Sequence, residues 1–119
     1  MEVLSMRRKA FTLVEIMIVV LIIGILLTIA VPAWMTARAN SRQKTCVTNL
    51  RQINDAKEIW AMENKKVDGD AVTQADLWPG YINGSSFPSC PAAGTYTIDV
   101  VGSEPTCSLS TGRWPHVLQ

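Results

Sequence analysis

Arg7-Arg8-Lys9-Ala10-Phe11-Thr12-Leu13-Val14-Glu15 is followed at once by residues 16–37, 22 positions without a charge and mostly Ile, Val, Leu and Ala. At about 1.5 Å per residue, a helix of that length reaches roughly 33 Å, enough to cross the hydrocarbon core of a bilayer. A helix in a soluble protein is rarely apolar on every face for so long. The stretch reads as a membrane-inserting helix with one acid at its entrance.

That acid, Glu15, has apolar neighbours on both sides. A carboxylate at membrane depth costs on the order of 2.5–3.5 kcal/mol on insertion scales, so it calls for a partner. Two readings fit. In the first, Glu15 sits at headgroup level in the first helical turn, where the helix dipole tolerates it. In the second, a cut before Phe11 creates an α-amino group four residues away, which the carboxylate meets in its own copy or in a neighbouring one.

Lys9-Ala10-Phe11-Thr12-Leu13-Val14-Glu15, with Pro32 inside the apolar run, resembles the class III signal of type IV pilins and type II secretion pseudopilins. The resemblance implies that a membrane aspartyl protease, the prepilin peptidase, cuts between Ala10 and Phe11 and methylates the new Phe11 nitrogen. It implies that Glu15 sets filament register and that Pro32 is the helix-bending proline. Mature chains would then stack with copies of themselves and with other pilin-like subunits through their N-terminal helices. One residue departs from the pattern: the family usually has Gly before the cut, where this chain has Ala10. Ala is small enough for the same subsite, so processing is expected.

The basic leader differs from an ordinary secretory signal, in which cleavage follows the apolar region rather than preceding it. Met6 is an alternative start that keeps all three basic residues. Arg7, Arg8 and Lys9 on one side of the span nearly balance Arg38, Arg42 and Lys44 on the other. The resemblance breaks the tie. It implies a single pass through the bacterial inner membrane, a cytoplasmic amino terminus, and a head that is periplasmic, or extracellular after assembly.

The chain has 119 residues and a formal charge of +1, room for one small domain beside the helix. Removing residues 1–10, which carry three basic side chains and Glu2, leaves a charge of −1. That balance gives no support for a mainly electrostatic nucleic-acid binder. The expected organisation is a leader (1–10), a transmembrane and assembly helix (11–37), its amphipathic continuation (38–64) and a head (65–119). In the continuation Cys46, Leu50, Ile53, Ala56 and Trp60 recur at steps of three and four, a single apolar stripe. Such a stripe covers the core of the head, and the remaining surface is free for other subunits. Gly24 and Pro32 weaken the helix locally.

Beyond Lys65, Val67-Asp68-Gly69-Asp70 reads as a turn, and Thr73 as the cap of a short helix through Leu77, ended by Pro79-Gly80. Residues 95–101 alternate as a half-buried strand. Gly102-Ser103-Glu104-Pro105 turns the chain into a second short strand over 106–109. The expected fold class is α+β: a long N-terminal helix and a small C-terminal head containing a β-hairpin.

The 55 residues from Lys65 onward are too few to bury a deep core unaided. Cys90 and Cys107 bracket the hairpin beside Pro-containing turns, and the exported compartment implied above permits oxidation. A Cys90–Cys107 disulfide is the expected staple, worth roughly 3 kcal/mol for a loop of about 17 residues. Cys46 reads as a buried thiol, with a bond to the head as the alternative. The tracts 88–96 and 105–108 are also similar to the C-terminal signature of small pilin-like proteins, although Gly112 and His116 stand apart here.

Cys46, Cys90, Cys107 and His116 lack paired short ligand spacing, and a disulfide would consume two thiols, so no metal is expected there. His116 reads as a surface or hairpin-packing residue. Asp68, Asp70 and Asp76 are calcium candidates set against an ordinary acidic turn, since EF-hand spacing is missing. No cofactor is expected. A Cys–His nucleophile would lack a third group to orient the imidazole, so an enzyme is not expected either. The sequence thus points to a structural filament-subunit precursor. The alternative is a minor pilin-like, membrane-anchored module that displays its head to DNA, a surface or an exported protein.

Overall fold

The computed structural model describes residues 9–119; Arg7, Arg8 and most of the expected leader lie outside them. The fold is α+β, with α1 (Leu13–Glu63), α2 (Gln74–Leu77), β1 (Tyr96–Thr97) and β2 (Thr106–Cys107). α1 runs for 51 residues with Pro32 inside it. Pro32 donates no backbone hydrogen bond, yet the helix continues through it. The Thr36 hydroxyl donates to the Pro32 carbonyl at 3.2 Å, and the Thr28 hydroxyl donates to the Ile25 carbonyl at 2.6 Å. Polar groups satisfied within the helix need no water, a condition that lipid imposes. Two compact units divide the chain, one ending at Thr36 and the other running from Ala37 to Gln119. The second half of α1 therefore folds with the head.

Within that second unit, the expected stripe is the floor of the core. Cys46, Leu50, Ile53, Ala56 and Trp60 are all buried, and Ala61 joins them. Two apolar clusters form along it. One gathers Ile53, Ala56, Trp60, Leu77, Ile82 and Val101. The other gathers Leu50 with the three cysteines and packs Ala92, Leu109 and Leu118. Tyr96 packs against both. Side chains on the same stretch of helix hold the loops down: Asn49 Nδ2 donates to the Ser89 carbonyl at 3.1 Å and to the Tyr96 hydroxyl at 3.2 Å.

One buried side chain on the stripe is a cation. Lys57 is 1% exposed and donates to the backbone carbonyls of Ile98, at 2.9 Å, and of Ser103. Burial lowers its pKa, and the nearby carboxylates of Asp99 and Glu58 offset part of that shift. Positions 46, 50, 53, 57 and 60 are spaced four, three, four and three apart, so Lys57 occupies a core slot of the helical period. Its apolar stem crosses the core while the ammonium replaces water with two carbonyl oxygens.

The short helix matches the expected one. Asp76 Oδ2 accepts from the Thr73 N–H at 2.8 Å and from the Thr73 hydroxyl at 2.7 Å, so Thr73 and Asp76 cap the first turn together. The hairpin is shorter than expected. Only two residues per strand pair, Tyr96 with Cys107 and Thr97 with Thr106, in antiparallel register. Asp99 ends the first strand: its φ of 62° leaves the extended region, and its own carboxylate accepts the Val100 N–H at 2.8 Å. Val101 then pairs with the 67–70 turn instead. Its N–H donates to the Asp70 carbonyl at 3.0 Å, and its carbonyl accepts from Gly69 at 2.9 Å. At the other end, Ser108 and Thr95 continue the contact through two 2.9 Å bonds, one using the Ser108 hydroxyl.

Replacing Lys57 by Met should destabilise the head by about 1–3 kcal/mol at pH 7, because two buried carbonyls lose their donor. The sign of the pH dependence follows from the lowered folded pKa. Below it, Lys57 is charged in both the folded and unfolded states. Between it and the ordinary lysine value the unfolded state binds more protons, so wild-type stability gains with rising pH. The gap between wild type and Lys57→Met should therefore widen as pH rises from the lowered folded value towards the ordinary 10.5, measured by chemical denaturation of the detergent-solubilised chain. A constant gap would show that Lys57 does not titrate differently in the folded head.

Candidate functional site

Residues 9–12 have no regular structure, and α1 begins at Leu13. Thr12 is the residue that starts it. The Thr12 N–H donates to Glu15 Oε2 at 2.9 Å, while the Glu15 N–H donates to the Thr12 hydroxyl at 3.3 Å. This is a reciprocal capping box, which satisfies two backbone donors that a helix start otherwise leaves open. The Thr12 carbonyl accepts from Ile16 at 3.4 Å, the first bond of the helical ladder. Glu15 therefore has a local job before any partner arrives. The signal was present in the sequence as Thr-x-x-Glu; reading Glu15 only for its charge passed over Thr12.

Ahead of this cap lies the Ala10–Phe11 peptide bond. It sits outside the helix, between two exposed residues, with Phe11 81% exposed. A peptidase needs its substrate in extended form, and this bond is free of helical hydrogen bonding. Behind the cap, α1 is long and apolar enough to cross a membrane, and none of its most apolar window is buried within the protein. Leu13, Ile16, Leu21, Leu26 and Ile29 are all exposed. Nothing in its own unit covers that surface. The structure thus places Ala10, Phe11 and Glu15 within one turn of the helix start, and Pro32 well inside the same helix.

The head holds a second assembly. Cys46, Cys90 and Cys107 are free, buried thiols. Their sulfurs and a ring nitrogen of His116 lie within 4.8 Å of one another. His116 is 5% exposed, so it is a core residue and not a surface one. Its backbone N–H donates to the Leu109 carbonyl at 3.0 Å, and Gln43 Nε2 donates to the neighbouring Pro115 carbonyl at 2.8 Å. These two bonds fasten the C-terminal tail to β2's extension and to α1. Spacing along the chain could not show this convergence, since the four residues come from four separate segments.

Local electrostatics differ among the thiols. Burial pushes the Cys46 thiol up to about 12, with the Cys90 and Cys107 thiols adding to it and the Tyr96 hydroxyl opposing it. Burial also raises Cys90, but the backbone N–H groups of Ala92 and Gly94 and the two neighbouring thiols outweigh it, so Cys90 lies below the usual thiol value. Burial raises the Tyr96 phenol as well. The aspartates have other work. Asp76 caps α2, and hydrogen bonds from Thr73 hold its carboxyl below the usual range. Asp70 Oδ2 accepts from the Val67 N–H at 2.9 Å, closing the 67–70 turn. Asp68 packs against Gly102, whose φ of 85° and lack of a side chain the contact requires. Among the described residues, Asp68, Asp70 and Asp76 do not gather their carboxylates into one ligand group.

Comparison with known proteins places these features in context. Residues 5–31 match the family described as the prokaryotic N-terminal methylation motif. A type IV major pilin protein of Myxococcus xanthus is 42% identical over 60 residues, covering 50% of this chain and 27% of that protein. A type IV narrow pilus major component of Thermus thermophilus is 29% identical over 115 residues, 88% of this chain and 98% of that protein. Type II secretion system core protein G of Aeromonas hydrophila is 30% identical over 60 residues, 50% of this chain and 42% of that protein. The chain thus spans about a quarter of the Myxococcus relative and less than half of the Aeromonas one, but nearly all of the Thermus one. No solved structure gives a significant match.

Gly94 provides a test of the head cluster. A Cβ there would fall 2.6 Å from Cys107 Sγ and 3.2 Å from both Cys90 Sγ and Leu109 Cδ1, whereas one at Gly80 would meet nothing within 4 Å. Gly94→Ala should cost about 1–3 kcal/mol through overpacking, and Gly80→Ala should stay within about 0.5 kcal/mol of wild type. Thermal unfolding of the two variants side by side measures the difference. Equal stability would mean that the sulfurs are not packed against Gly94.

Proposed function

We infer that this chain, which belongs to the type IV pilin and pseudopilin family, is the precursor of a structural filament subunit. The observation that carries this reading is the wholly exposed apolar half of α1, preceded by a non-helical, exposed Ala10–Phe11 bond. Prepilin peptidase would cut that bond and methylate the Phe11 nitrogen. The helix would hold the processed chain in the inner membrane, with its head on the far side, until assembly. It would then exchange lipid for the helices of sister subunits and of other pilin-like chains.

In the assembled state Glu15 has a partner of opposite charge, the Phe11 amine of a neighbour. Either charge left alone in an apolar filament core is strongly unfavourable, which makes the pair a register device. The capping box supports the same arrangement: it starts the helix immediately after the new terminus and keeps the carboxylate at its outer end. Similarity to proteins named as major pilin and major fimbrial subunits favours the filament role over display of a binding head.

Glu15→Gln separates the two jobs of this residue. Gln retains the capping acceptor but carries no charge, whereas Glu15→Ala loses both. Both variants should be processed and accumulate in the membrane, with filament yield reduced more than a hundredfold, the equivalent of an unpaired buried charge at about 3–5 kcal/mol. Sheared-filament assays and electron microscopy read the yield. Wild-type filaments from Glu15→Gln would leave Glu15 as a cap alone. Filaments of normal number and length after deletion of the gene would overturn the structural role itself.

A further inference from the structure

We propose that Cys46, Cys90, Cys107 and His116 form a closed tetrahedral zinc site that staples the head. Three thiolates and one imidazole are one of the standard donor sets for structural zinc. The four donor atoms already lie within 4.8 Å of one another. Cys90 Sγ and His116 Nδ1 are 3.5 Å apart; tetrahedral zinc with ordinary Zn–S and Zn–N bonds requires about 3.6 Å along that edge, and about 3.8 Å between sulfurs. Only small side-chain adjustments separate the cluster from a coordination shell.

The surroundings fit a metal better than three idle thiols. The donors come from α1, the 90–94 turn, β2 and the C-terminal tail, so one ion would join four separate segments that the small hairpin leaves loosely connected. Outer contacts are in place. The backbone N–H groups of Ala92 and Gly94 donate to Cys90 sulfur. Tyr96 bonds to Cys46 sulfur, and Asn49 orients the Tyr96 hydroxyl from α1. Such contacts fix ligand orientation and relieve charge on thiolate. Gly94 leaves the space that the sulfurs occupy. A disulfide between any two of the thiols would strand the third beside a buried imidazole.

Binding is balanced simply. Three thiols release three protons to solvent, neutral His116 contributes a lone pair, and the site carries a net charge of −1 with no change in oxidation state. A disulfide would instead remove two electrons and two ligands, so the two states exclude each other. The inference concerns the head alone and stands whether or not the chain assembles into filaments.

The test uses the full-length chain, purified in detergent with thiols protected from air. Elemental analysis should find one zinc per chain. After removal of zinc, Co²⁺ alone should bind one to one and give thiolate charge-transfer absorption with the intense visible bands of tetrahedral cobalt. His116→Ala keeps three thiols and should weaken Co²⁺ binding at least tenfold, and Cys46→Ser should abolish the tetrahedral spectrum. Because those variants also change the packing of the core, the wild-type measurement decides. Three titratable thiols with no stoichiometric metal would overturn the proposal. So would a Cys90–Cys107 disulfide in the chain isolated from cells.

Discussion

The first half of α1 carries a continuous apolar surface that nothing else in its unit covers. Water disfavours such a surface in proportion to its area, so the chain is incomplete without lipid or other helices around it. Four polar residues in that region are arranged accordingly. Thr28 and Thr36 turn their hydroxyls back onto the helix, and Thr12 and Glu15 satisfy each other's backbone donors. What remains is the charge on Glu15, which under the proposed function the amine of a neighbour answers.

The second half of α1 solves a different problem. A head of this size cannot hide much apolar surface, and its sheet has only two residues in each strand. The helix supplies the floor instead, and loops are attached to it by specific polar bonds from Gln43, Asn49 and Lys57. Lys57 shows how tightly this is done, since an ammonium group spends its charge on two backbone carbonyls inside the core. At the other end of the floor, three sulfurs and an imidazole take the place that aliphatic side chains would fill in a larger domain. Tyr96 packs between the two regions and links the fate of one to the other.

Much of this was legible along the chain because it depends on local period or local turn chemistry. The length of α1, its apolar stripe, the Thr73-capped helix and the turns at 67–70 and 102–105 all follow from neighbouring residues. Lys57 was hidden because its charge argued against a core position that its spacing required. The extent of β1 was overestimated because alternation of side chains survives where the backbone does not: Asp99 adopts a left-handed conformation that hydropathy cannot register. The meeting of Cys46, Cys90, Cys107 and His116 was hidden for another reason. Cys46 lies 44 residues before Cys90, and a turn, a strand and the C-terminal tail carry the other three donors onto one helix face, so no short spacing records the meeting.

The central physical claim is that the apolar helix is presented to its neighbours with a newly made amine at its start. Intact-mass spectrometry of the chain extracted from membranes, followed by fragmentation of its terminus, addresses this most directly. The expected result is a chain that begins at Phe11, lacks residues 1–10 and carries one methyl group on its terminal nitrogen. A chain that still carries those ten residues would contradict it and remove the proposed partner of Glu15.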